Sequence, residues 1–135
     1  MPSPPVIFVD TSVWISAFRS ASGVEATHLR EILDADLVAL AAPVRIEVLV
    51  GASLQDRPRL RRLFSALPTF FPDGETWKLI DSWLDRASRA GEQFGFADLL
   101  IGALAAQQGS AVWSLDSDFP RMAACGLLQV HYPEK

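Results

Sequence analysis

Asp10 stands where a buried strand should still be running. The residues before it, VIFV (6–9), have the β-branched and aromatic bias of a strand covered on both faces. A carboxylate directly after them lies at the carboxyl edge of a sheet, where open α/β folds hold their ligands. The plain alternative is a cap for the next helix, a task Thr11 or Ser12 would perform as well. Glu47 is a second anomaly. Val44, Ile46, Val48, Leu49 and Val50 make its short helix apolar almost all round, so the helix is expected to be buried. An ionised carboxylate there needs a partner. Arg45, two positions away, faces another side of the helix, so a structural ion pair would require some other arginine.

Asp98 opens the most apolar helix, ADLLIGALAA, where the helix dipole is expected to keep it ionised. Gly102, one turn later, would let a neighbouring element come close. SLDSDF puts Asp116 and Asp118 straight after the strand-like AVWSL (111–115), again at a carboxyl edge. One of the two is expected to serve the turn; Asp116 is favoured as the ligand because it is nearer the strand end, with Asp118 as the additional acidic candidate. The other acids read plainly. Asp34 and Asp36 flank a helix end, Asp56 and Asp73 precede helix starts, and Asp81 and Asp85 share a solvated face.

If the strands are parallel neighbours, Asp10, Glu47, Asp98 and Asp116 can converge above one sheet edge. Packed carboxylates repel, and each pKa rises unless a cation is present. Hard oxygen donors without histidine or cysteine point to Mg²⁺ or Mn²⁺. Such a site orients a water and stabilises charge developing on a phosphodiester during in-line displacement.

Positioning these groups requires an α/β arrangement. Strand-like runs at 6–9, 37–40 and 111–115, with a weaker one at 127–130, alternate with segments of helical period. Helices are expected at SVWISAF, at 25–36, at VRIEVLVGA after Pro43, at RLRRLFSAL after Pro58, at 75–90, at 97–109 and from about Phe119. Trp77, Ile80 and Leu84 are expected to share the buried face of the 75–90 helix. The pattern predicts an α/β sandwich with a mostly parallel sheet in one domain over 1–135.

Composition narrows the function classes. With 135 residues, half of them hydrophobic, the chain can bury a real core, and disorder is excluded. No apolar run approaches the roughly 20 residues of a bilayer span, and MPSPPVIF lacks the pattern of a signal peptide, so a cytoplasmic protein is expected. Cys125 is unpaired and expected to be a small core residue, and with only His28 and His131 beside it no zinc cage is offered. The net charge of −4 argues against a nucleic-acid coat protein but leaves a nuclease open, since ten of the twelve basic residues are arginines, suited to phosphate. Arg57, Arg59, Arg61 and Arg62 lie on one presumed helix, read as a solvated face above Leu60, Leu63 and Phe64, with RNA or protein contact the alternative.

Taken in order, VDTSVWI, IEVLVGA, ADLLIGALA and SLDSDF resemble the signature of PIN-domain ribonucleases, in particular the VapC toxins of bacterial type II toxin–antitoxin pairs. The similarity spans nearly the whole chain. It implies a PIN-like three-layer α/β/α sandwich around a mostly parallel sheet, with Asp10, Glu47, Asp98 and Asp116 as the catalytic, metal-binding quartet. Ser12 would be a hydrogen-bonding helper, and the fourth ligand would be Asp116 or Asp118. It further implies Mg²⁺- or Mn²⁺-dependent cleavage of RNA to 5′-phosphate and 3′-hydroxyl ends, inhibition by a cognate antitoxin, and a homodimer. Trp14 and Trp83 are the expected lining of an apolar groove for the antitoxin or the second copy. Two rivals are weaker. Phosphoryl transfer through an aspartyl-phosphate wants a lysine near the acids, and one of its folds wants a second aspartate where Ser12 stands; a binding partner without catalysis would not need the full quartet.

Overall fold

Strands and helices alternate along residues 5–133, the range described by the computed structural model; the first four residues, part of the stretch read against a signal peptide, and the last two, 134–135, lie outside it. The strands are β1 (Ile7–Val9), β2 (Val38–Ala41), β3 (Thr69–Phe70), β4 (Ala111–Trp113) and β5 (Gln129–Val130). The helices are α1 (Thr11–Arg19), α2 (Val24–Asp34), α3 (Ala42–Gly51), α4 (Arg57–Ser65), α5 (Gly74–Arg89), α6 (Phe96–Gln107) and α7 (Asp118–Ala124). Every strand pair is parallel, in the order β3-β2-β1-β4-β5. With the right-handed crossovers that parallel strands adopt, this order puts α1–α4 on one face and α5–α7 on the other. The order changes direction at β1, so the gap between β1 and β4 is the topological switch point. Among the described residues no helix is long and apolar enough to cross a membrane.

The core explains the short strands. Phe8, Val9 and Val38–Ala41 are buried on both faces, which only helices on both sides of a parallel sheet can achieve. β3 was not foreseen: two residues are too few to show a period, yet Leu40 and Ala41 pair with Thr69 and Phe70, and Phe70 packs on Phe8 with ring centroids 5.2 Å apart.

Three expectations about burial are corrected. Trp14 and Trp83 line no groove; both are fully buried. The Trp14 indole donates to the Val9 carbonyl at 3.2 Å and meets Phe64 edge-on, tying α1 to the end of β1. On α5 the buried stripe is Thr76, Ile80, Trp83 and Ala87, and Trp77 and Leu84 remain half exposed. The helix is rotated because its entry is set by a capping box, in which Asp73 accepts from the Thr76 amide at 3.0 Å and the Thr76 hydroxyl accepts from the Asp73 amide at 3.0 Å. On α3, Val44, Val48 and Leu49 face inward, but Ile46 and Val50 are 59% and 72% exposed and Glu47 is exposed with them. Apolar composition all round did not bury this helix, because no described element covers its outer side.

Candidate metal centre

Register brings the first two site residues together. Val9 lies opposite Trp113, so Asp10 and Ser114 emerge side by side beyond the sheet edge, and the Asp10 amide donates to the Trp113 carbonyl at 2.9 Å. Asp10 is only 6% exposed. Its Oδ2 accepts from Ser12 Oγ at 2.8 Å, from Ser114 Oγ at 2.7 Å and, at a longer 3.4 Å, from the Ser12 amide. Asp10 itself is therefore the cap of α1, in place of Thr11 or Ser12. These bonds all fall on Oδ2, so Oδ1 is left for another partner. The two serines are themselves braced by the β4–α7 turn, Ser12 Oγ accepting from the Leu115 amide at 3.0 Å and Ser114 Oγ from the Asp116 amide at 2.9 Å.

α6 runs antiparallel to the strand it feeds, so its first turn starts at the same edge and delivers Asp98 there. One oxygen from each of Asp98, Asp116 and Asp118 lies within 4.8 Å of the others, a spacing that modest side-chain rotation closes onto one hard cation. The consequence for Asp98 reverses the expectation drawn from the helix dipole. Its carboxyl is pushed up to about 7, first by burial, then by a hydrogen bond to Asp118 and by repulsion from Asp116, Asp10 and Asp118. The dipole is worth at most about 1–2 kcal/mol and is outweighed. Without a cation this group is half-protonated near neutral pH.

The oxygen-only donor set, the raised Asp98 and the free Oδ1 of Asp10 together fit a hard divalent ion. Glu47 stands apart from the three clustered aspartates. It is exposed on α3 and accepts from Thr11 Oγ1 at 3.0 Å, which holds it beside the start of α1, next to Asp10 in sequence. Asp118, read as the lesser candidate, is as much a member of the cluster as Asp116. Its Oδ1 accepts from Arg121 Nη1 at 2.6 Å, whereas Asp116 Oδ1 accepts from the Asp118 amide at 2.9 Å.

Three participants were missed in the sequence. Ser114 interrupts the apolar run AVWSL just as Asp10 ends VIFV, and that interruption was a usable signal. Arg121 follows Asp118 by one helical turn, also binds Glu92 Oε2 through Nε at 2.7 Å, and supplies the nearest fixed positive charge to the cluster. Thr11 gave no signal beyond its place next to Asp10.

Comparison with known proteins bears on the family and the fold. The family described as PIN domain matches residues 7–124. VapC ribonuclease Mb1587 of Mycobacterium bovis and ribonuclease VapC11 of Mycobacterium tuberculosis are each 33% identical over 130 residues, covering 92% of this chain and 96% of the relative. The solved structure of VapBC2 from Rickettsia felis, bound to a DNA fragment from their promoter, matches 96% of this chain and 99% of its own with a TM-score of 0.78; at 16% identity it is a likeness of fold.

Proposed function

The chain belongs to the PIN domain family, and from that premise we propose that it is a single-domain ribonuclease of the VapC type, a toxin cleaving RNA phosphodiesters in the cytoplasm with Mg²⁺ or Mn²⁺. The observation that carries this reading is the meeting of Asp98, Asp116 and Asp118 beside Asp10 at the switch point, with Asp98 driven toward its neutral form by burial and by its acidic neighbours.

Asp10, Asp98, Asp116 and Asp118 would hold the ion, with Glu47 at the rim. When bound, the ion supplies Lewis acidity for a water nucleophile and offsets charge on the phosphate. The chain's own groups do the rest. Ser12 and Ser114 fix the Asp10 carboxylate so that Oδ1 keeps one direction, Arg121 fixes Asp118, and Thr11 holds Glu47 in reach of a water at the open side. Arg59, Arg61 and Arg62 on α4 are exposed and form no ion pair among the described residues, which leaves them available for the RNA backbone.

The proposed partners beyond RNA are a cognate antitoxin and a second copy of the chain. The relatives and fold neighbours support the antitoxin, and a cleft of about 450 Å³ between α1, α3 and α4, lined by Phe18, Val48 and Leu60 together with Arg19, Asp56 and Arg59, offers a seat with both apolar and charged contacts.

The test compares wild type with Asp98→Asn on a structured RNA, in EDTA and with added Mn²⁺. Cleavage by wild type should need the metal and disappear in the variant. Equal cleavage by both proteins would remove Asp98 from the chemistry, and cleavage in EDTA would remove the ion.

A further inference from the structure

We propose that the cleft beside Asp116, between the start of α2, the β4–α7 turn and the segment after β5, is a nucleobase subsite. It would receive the base flanking the scissile phosphate and make cleavage sequence-selective. The inference rests on the ribonuclease reading given above and deepens it.

The cleft has a volume of about 740 Å³, within the roughly 300–1,000 Å³ typical of small-molecule sites. It is continuous with the acidic centre, since Ser114 and Asp116 line both. Its walls are apolar side chains that the chain leaves uncovered: Val24 is 72%, Leu115 52% and Tyr132 66% exposed. Among the described residues no lysine or arginine lines it, so it suits the flat, uncharged part of a nucleotide rather than a phosphate. A base has a π face for Tyr132 and apolar surface for Val24 and Leu115.

The wall is held rigid from behind. His28 Nε2 and His131 Nε2 lie 2.9 Å apart, with ring planes only 10° apart and centroids at 5.2 Å, so the two imidazoles meet end to end. His28 packs edge-on to Trp113 at 4.8 Å, and the His131 amide donates to the Val112 carbonyl at 2.8 Å. Tyr132 is thus carried on a backbone anchored to β4 and, through its neighbour, to α2. An exposed aromatic on a fixed support loses little entropy on stacking.

The polar groups of the cleft predict which base it prefers. Glu25 accepts from Ser16 Oγ at 3.0 Å through Oε1, leaving Oε2 as an acceptor, whereas Asp116 is committed to the metal centre. A carboxylate acceptor favours bases that carry an exocyclic amino group, so guanine, adenine and cytosine should be preferred over uracil, guanine most because its N1–H and 2-amino N–H lie side by side.

Mapping cut sites in a randomised RNA pool tests this, using the full chain with Mn²⁺ as wild type, Tyr132→Ala and Val24→Asp. Both substitutions are at exposed positions, and melting curves check folding. Wild type should disfavour uracil at one position next to the cut, with guanine the most favoured base there. In both variants that preference should fall and KM rise by about tenfold, the worth of one stacked base, with kcat within about twofold. Unchanged preference and KM in both variants would overturn the subsite while leaving the nuclease intact, as would a wild type with no preference at either flanking position. A change of oligomeric state in the variants on gel filtration would assign the cleft to an interface between copies instead. A wild type that cuts nothing would overturn the ribonuclease reading itself.

Discussion

Asp98 holds a proton in the folded, metal-free protein at pH values where an aspartate of ordinary pKa, 3.8, has lost it. The native state therefore binds more protons than the unfolded chain between 3.8 and about 7, so stability falls as pH rises through that window. Melting curves in EDTA across this range should show the decline, and Mn²⁺ should flatten it by offsetting the repulsion. Asp98→Asn should raise the melting temperature in EDTA above pH 7 while abolishing cleavage. Because the group is half exposed, the gain should be roughly 1 kcal/mol, a few degrees in Tm. Ser114→Ala removes one of the two hydroxyls on a buried carboxylate, and a loss of about 1–3 kcal/mol is expected in chemical denaturation. Residue types and positions made Asp10, Asp98, Asp116 and Asp118 legible as candidates. The protonation of Asp98 was not legible, because it depends on charges 18 and more residues away in sequence.

Element boundaries were legible where caps and periods are local. Pro43 and Pro58 lie in the first turns of α3 and α4, and Gly109, expected to stop α6, adopts a φ of 63° just past its end. Gly102 behaves as its position suggested. A Cβ there would come within 2.7 Å of Leu128 Cδ2 and 3.0 Å of Met122 Cε, with Trp83 at 3.5 Å, so α6 approaches α5, α7 and the segment leading to β5 closely only without a side chain. Gly102→Val should cost about 1–3 kcal/mol in denaturant titration through overpacking. Gly102→Ala should cost less, since about 1 kcal/mol of helix propensity is regained. β3 and the rotation of α5 were not legible. Two residues carry no period, and one capping box shifted the buried stripe from the pattern of large apolar residues to one containing Thr76.

At the scale of the whole molecule the acidic centre is a cost that metal binding offsets. Mn²⁺ at a hundredfold excess over its Kd should stabilise the protein by about 2.7 kcal/mol, seen as a concentration-dependent rise in Tm that Asp98→Asn weakens. A melting point indifferent to millimolar metal would count against the site. The alternation of strands and helices, the oxygen-only donor set and the location of acids at strand ends and at a helix start follow from the amino-acid order alone, because each depends on neighbours within a few positions. Which acids meet was decided by the fold. The order β3-β2-β1-β4-β5 and the pairing of Val9 with Trp113 put residues 10 and 114 side by side, and α6 brings residue 98 to the same edge. Burial was decided there too: Trp14 disappeared into the core and Ile46 stayed in the open, since exposure depends on which faces other elements cover and not on the side chain itself.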